Sequence, residues 1–364
     1  MGRLFDDFGL IVKNGLPLID VRAPVEFGKG AFRGAVNLPL MNDEERRLVG
    51  IRYKEMGNAE AVKLGHELVS GRVKESRVEA WCDFIRERPD TLLYCFRGGQ
   101  RSQIAQRWIA EAGYEIPRLR GGYKAFRRFL IEEIERIAGL LTPLSLGGRT
   151  GSGKTLLLSE IAASIDLEGL ANHRGSAFGR RITPQPTQIT FENDLAYDLI
   201  NRSDRYGCRL VFEDEGKNVG RLYLPRPLYE SLEMAPLVIL ETPMRKRVEI
   251  TWREYVADAQ KEYLKSGGAD ALRAWRDAVA TAMDRIERRL GGVRHKEVRK
   301  MLDEAFEEQL RSGDLSAHKE WVEYLLREYY DPMYDYQIKK RAERVVFRGD
   351  FESVKEYLLE ATKP

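Results

Sequence analysis

An apolar run, PLSL at 143–146, leads directly into GGRTGSGKT at 147–155, and an apolar helical pattern, TLLLSEIAASI, follows. From Gly148 to Thr155 this is a complete GxxxxGK[ST] pattern with the strand before it and the helix after it that the pattern requires. Gly148, Gly151 and Gly153, with Ser152 between them, let successive backbone N–H groups turn inward around an anion. Lys154 adds a mobile charge for the outer phosphate, and Thr155 offers a hydroxyl to magnesium. The surroundings are therefore expected to be α/β, with short parallel strands at PLSL, RLVF (209–212) and LVIL (237–240) and a helix over TLLLSEIAASI. Phosphate binding does not by itself mean nucleotide hydrolysis. The magnesium shell of a hydrolase needs an acidic residue at the end of a neighbouring strand, and Glu213, Asp214, Glu215 and Glu241 are in reach of that position. None completes a plain apolar-then-Asp strand ending. Glu213 or Asp214 suits the role best, unless both are ordinary loop acids.

A second strand-to-helix turn carries a thiol. CFRGGQRS at 95–102 follows the apolar TLLYC (91–95) and opens the helical pattern SQIAQRWIAEAG (102–113). N–H groups curling around the Cys95 sulfur, with Arg97 and Arg101 beside it, would stabilise an anionic group carried there, which is the pattern of a catalytic cysteine. Cys82, inside the helical VEAWCDFI, and Cys208, beside a strand, read as small core residues.

Three cysteines without a CxxC pair exclude a disulfide framework and a cysteine zinc site, and fit a reducing compartment. No apolar run approaches the roughly 18 to 20 residues of a membrane span, and the first residues lack a secretion-signal pattern, so a cytoplasmic protein without membrane contact is expected. At 364 residues the chain is too long for one core, and three regions are expected: 1–136, an α/β domain with the cysteine loop; 137–250, the phosphate-loop domain; and 251–364, a helical region typified by DALRAWRDAVATAMDRIERRL. With a net charge of only +3, a polyanion must be met by local clusters. NHRGSAFGRR supplies His173, Arg174, Ser176, Arg180 and Arg181, facing RNA backbone or a diphosphate. EYYDPMYDYQIKKRAERVVF sets tyrosines beside Lys339, Lys340 and Arg341, which suits RNA or equally a tyrosine core. His66, His295 and His318 stand among charged helical residues and are expected to be solvated.

Residues 16–130 resemble a rhodanese domain: Asp20 and Arg22 follow the strand LPLID, Glu26 comes next, and GAFRGAVNLPL forms the family's turn, with Ala31 where a histidine is usual. The five residues between Cys95 and Arg101 also match the rhodanese-like phosphatases, but Tyr94 replaces the histidine that precedes their cysteine. The order of CFRGGQRS, GRTGSGKT, HRGSAFG, PQPTQ and YYDPMYDYQ resembles the tRNA 2-selenouridine synthase family through essentially the whole chain. That resemblance implies replacement of the sulfur of wobble 2-thiouridine in tRNA by selenium from selenophosphate, through an S-geranyl intermediate made from geranyl diphosphate. It implies no tightly bound cofactor, with magnesium admissible at Thr155. It leaves open which donor occupies the phosphate loop, and whether Cys95 carries selenium or acts as a nucleophile that helps remove the geranylthio group. Two other readings remain: an NTP-dependent enzyme fused to a rhodanese-type sulfurtransferase for another acceptor, and a non-catalytic RNA-binding adaptor.

Overall fold

The computed structural model describes residues 2–268 and 270–363. They form two compact units: residues up to Arg136 with Thr187–Asn201, and Ile137–Pro186 with Arg202 onward. The first holds a parallel sheet of β1 (Leu4–Phe5), β2 (Leu18–Asp20), β3 (Ala35–Asn37), β4 (Leu92–Tyr94) and β5 (Arg118–Leu119), in the order β1-β5-β4-β2-β3. The second holds β6 (Leu144–Gly147), β7 (Ser164–Ile165), β8 (Val211–Glu213), a small antiparallel hairpin of β9 (Asn218–Val219) and β10 (Leu222–Tyr223), β11 (Leu237–Leu240) and β12 (Val345–Gly349). Its parallel sheet runs β12-β11-β6-β8-β7. β2, β4 and β11 are buried along their whole length, as expected for central strands of a parallel sheet, although β2 ends in the buried Asp20.

Three expectations need correction. The expected helix over TLLLSEIAASI ends at Ser159, and Ser164–Ile165 returns to the sheet as edge strand β7. A short apolar run with β-branched residues fits either element, and the sheet edge decides it here. The chain forms two units where three regions were expected. β12 pairs in parallel with β11, so the end of the helical region belongs to the phosphate-loop sheet. The segment 187–201, inside the expected phosphate-loop domain, packs in the first unit: Arg33 pairs with Asp194 and, at 2.5 Å, with Asp198, and Arg127 pairs with Glu192. Pairings that span so much sequence leave no local pattern to read.

The helices after 250 share a core with Trp275, Met283, Leu302, Phe306 and Trp321. His318 lies inside it, fully buried rather than solvated, with Nε2 2.8 Å from Gln309 Oε1 and Nδ1 accepting from Trp321 Nε1 at 2.9 Å. Burial pushes its imidazole from the ordinary 6.5 down to about 4. The unfolded chain therefore binds the proton more readily, so this contribution to stability is complete above pH 6.5 and is lost as pH falls toward 4. Thermal melts over that window should lose at most about 1.4 kcal/mol per pH unit from this group, and His318→Gln should flatten the decline. Equal pH slopes in both proteins would contradict it. His295 is not free either, with Nε2 2.9 Å from Asp284 Oδ1, whereas His66, beside Trp108, is exposed as expected. Cys82 is buried in its helix and Cys208 half-buried. Among the described residues, no helix is long and apolar enough to cross a membrane.

Candidate functional site

Both motifs sit at the carboxyl ends of central parallel strands, where open α/β sheets bind their ligands. The phosphate loop leaves β6 and opens the helix Lys154–Ser159. Gly151 has φ +76, and a Cβ there would press into Thr251 Oγ1 and the Arg247 carbonyl, so only glycine fits. Lys154 Nζ donates to Gly148 O at 2.9 Å. Thr155 Oγ1 donates to Glu213 Oε1 at 3.2 Å, whereas Asp214 is held by Arg341 at 2.7 Å through both carboxylate oxygens. Of the two acids at this strand end, Glu213 is thus the one beside the loop.

A cleft of about 510 Å³ opens over the loop. Arg174, Ser176 and Arg181 line it, as do Glu168, Glu215, Glu254, Tyr255, Tyr330 and Tyr334; of this second group, the sequence pointed to Glu215 as an acid and to Tyr330 and Tyr334 as part of YYDPMYDYQ, and gave no sign of Glu168, Glu254 or Tyr255. His173 and Arg180 face a neighbouring cavity. Glu254–Tyr255 and Tyr330 come from two π-helical turns, Arg253–Asp258 and Leu326–Tyr330, a local widening frequent at functional sites. Ser152 Oγ and Tyr334 OH, both on the cleft wall, are buried without a protein partner, which suits a ligand that accepts hydrogen bonds. Glu168, Glu213 and Glu215 lie together, and burial followed by repulsion among the neighbouring acids holds each well above the ordinary carboxylate range, against the pull of Lys154. Among the described residues no group of three or more His, Cys, Asp or Glu is disposed to hold a metal by itself. Magnesium fits here only with phosphate oxygens as further ligands, at Thr155 Oγ1 with Glu213 behind it.

YYDPMYDYQ braces the loop. Arg247, 2% exposed, donates from Nε to Thr150 O at 2.9 Å and pairs with Asp331 at 2.6 Å. Tyr329 and Tyr330 are buried, and Tyr336 is the exposed ring, with Lys340 Nζ 4.5 Å from its centroid. Lys339 is exposed, whereas Arg341 is spent on Asp214. Asp331→Ala strands the buried Arg247 guanidinium and should cost about 3 kcal/mol in urea unfolding. An unchanged midpoint would mean that this pair does not hold the loop.

Cys95 follows β4 and is 3% exposed. Its thiol donates to Ser102 Oγ at 3.2 Å, and Ser102 Oγ donates to Gly99 O at 3.0 Å. The loop is fastened from behind: Arg118 Nη1 donates to Gly98 O at 2.7 Å, and Gly122, φ +59, lies so close to Cys95 O and Gly98 N that no Cβ fits. Arg101 does not face the sulfur as a free counter-charge; it pairs with Glu26 at 2.5 Å, and Arg97 is exposed. Burial opposes ionisation of Glu26, but hydrogen bonding and charge from Arg101 outweigh it and hold this carboxyl below the ordinary range. Asp20 and Arg22 are a buried pair at 2.6 Å, and the Arg22 guanidinium lies 3.8 Å from the Tyr123 ring centroid, so they brace the turn. Next to the loop lies a mainly apolar cavity of about 780 Å³, walled by Leu40, Met41, Val49, Ile104 and Trp108 together with Arg97 and Arg101.

A thiol at a strand end in one α/β unit and a phosphate-loop pattern in the other define a protein of two candidate sites. A rhodanese-like domain model matches residues 7–129, and the model of the tRNA 2-selenouridine synthase AAA domain matches 141–364. A tRNA 2-selenouridine synthase of Sulfurovum sp. is 62% identical over 354 residues, covering 97% of each chain. One of Hydrogenovibrio crunogenus is 50% identical over 359 residues, 97% of this chain and 98% of that one. The chain belongs to the tRNA 2-selenouridine synthase family.

Proposed function

We propose that this transferase acts on wobble 2-thiouridine of tRNA in two steps, one in each unit. In the first, the thiouridine sulfur attacks C1 of geranyl diphosphate, the C–O bond breaks, and diphosphate leaves with the electron pair. Stabilising that departing charge is the main electrostatic task, and Lys154, Arg174 and Arg181 around one cleft suit it. In the second, selenium from selenophosphate forms a bond to C2, geranylthiolate leaves with the electron pair of the C2–S bond, and the phosphoryl group passes to water. Cys95 is assigned to this step, and the mainly apolar cavity beside its loop has room for a ten-carbon chain. The observation that carries this reading is the polar phosphate-loop cleft with unpartnered Ser152 and Tyr334 hydroxyls. Magnesium, when bound, would add charge to the diphosphate side. The test is mass analysis of the wobble nucleoside in thiolated tRNA incubated with the protein and both donors. 2-Selenouridine is expected with both present and S-geranyl-2-thiouridine with geranyl diphosphate alone, and ATP-dependent products instead would overturn the reading.

A further inference from the structure

The basic stretch at 173–181 is split between two cavities. Arg174 faces the phosphate-loop cleft, while His173 and Arg180 face a neighbouring cavity of about 620 Å³ that shares Ser176 and Arg181 with it. Arginines from distant positions complete that second wall: Arg221, at the turn between β9 and β10, and Arg285 and Arg289, one turn apart on the helix Ala271–Leu290. Five arginines line it and no carboxylate does. None of the five is ion-paired with Asp or Glu among the described residues. Arg221 spends its guanidinium on the Gln185 carbonyl at 2.7 Å and Arg285 on the Ala177 carbonyl at 3.1 Å, hydrogen bonds that leave both charges uncompensated. His173 is 7% exposed, and its Nδ1 has no partner. Burial and then Arg180 disfavour the charged form of Arg285, as expected where cations crowd. A concave wall of this kind attracts anions and is relieved by them.

We propose that this cavity binds consecutive backbone phosphates of the acceptor RNA strand and thereby sets the target nucleotide at the phosphate-loop cleft. The placement of the acceptor rests on the two-step function above; the anion site rests on the wall itself. A single phosphate group brings at most about two charges, whereas consecutive phosphodiesters bring one per nucleotide and match a five-arginine wall better. Sharing Arg181 and Ser176 sets the cavity directly beside the cleft, so a strand held there passes next to it. Backbone recognition of this sort positions a substrate without reading its bases.

The test is the affinity of the full-length protein for an anticodon stem-loop RNA carrying 2-thiouridine, measured across a salt series with no donor present. Arg285→Glu/Arg289→Glu alters two exposed positions, and its fold is checked by thermal melting against wild type. It should weaken binding at low salt by about tenfold or more and make the log–log salt dependence shallower by about 0.7 for each phosphate that is no longer neutralised. Arg273→Glu/Arg288→Glu, with the same charge change on the same helix outside the cavity, should keep wild-type affinity and slope. Wild-type binding by the first variant overturns the proposal, as does equal weakening in both. Intact RNA binding by the first variant, together with loss of selenium transfer in a separate assay with both donors added, also overturns it and assigns the cavity to the small phosphate donor. With no donor present, the outcome is independent of whether geranyl transfer occurs at the loop.

Discussion

Lys154→Ala is expected to slow S-geranylation of thiolated tRNA by about 10² to 10³-fold, the usual cost of removing one main interaction with a developing negative charge. Diphosphate gains charge as the C–O bond breaks, and Lys154 is the loop's own mobile cation. Arg174 and Arg181 line the same cleft and retain part of the stabilisation, so the loss is not total. The substitution is structurally mild, because the ammonium's hydrogen-bond partner is the Gly148 carbonyl on the same loop. Initial rates of S-geranyl-2-thiouridine formation, followed by nucleoside mass spectrometry, give the readout. A wild-type rate would remove the phosphate loop from prenyl transfer.

Cys95→Ser is expected to abolish 2-selenouridine while leaving S-geranylation intact, so the geranylated nucleoside accumulates. Prenyl transfer to sulfur needs a bound leaving group and a positioned acceptor but no enzyme thiol, since the tRNA sulfur is itself the nucleophile. Replacing that alkylated sulfur makes a different demand: a selenium anion must reach C2 while the geranylthio group departs. The thiol at the end of β4, held by Ser102 on a loop fastened through Arg118 and Gly122, is placed for such a step. Serine fits the same space and hydrogen bond, so a folded protein is expected. Normal selenouridine from this variant, or loss of both products, would show that the assignment is wrong.

The two motifs were legible because each is local: glycines, a cation or a thiol, and an apolar strand lie within about a dozen residues, and β4, β6 and β11 are short apolar runs bounded by turns. Residues that complete the sites come from far away. Glu168 lies beyond a helix that ends sooner than its pattern suggests, Tyr255 and Tyr330 are aimed by π-helical turns, and Arg247 reaches Thr150 across 97 positions. No periodicity marks such pairings. Asp331 was visible only as part of YYDPMYDYQ, read there as RNA-binding or core-forming; its partner Arg247 makes it a brace. Arg101 misled because an arginine near a cysteine suggests a counter-charge, while Glu26, 75 positions away, takes it.

The central claim is that the two units divide the work, and a crossover with pre-geranylated tRNA tests it most directly. S-geranyl-2-thiouridine tRNA, made separately, is given to Lys154→Ala and to Cys95→Ser together with selenophosphate and no geranyl diphosphate, and the wobble nucleoside is analysed by mass spectrometry. Lys154→Ala should convert it to 2-selenouridine at close to the wild-type rate, and Cys95→Ser should leave it geranylated. Conversion by Cys95→Ser, or failure of Lys154→Ala on this substrate, would contradict the division.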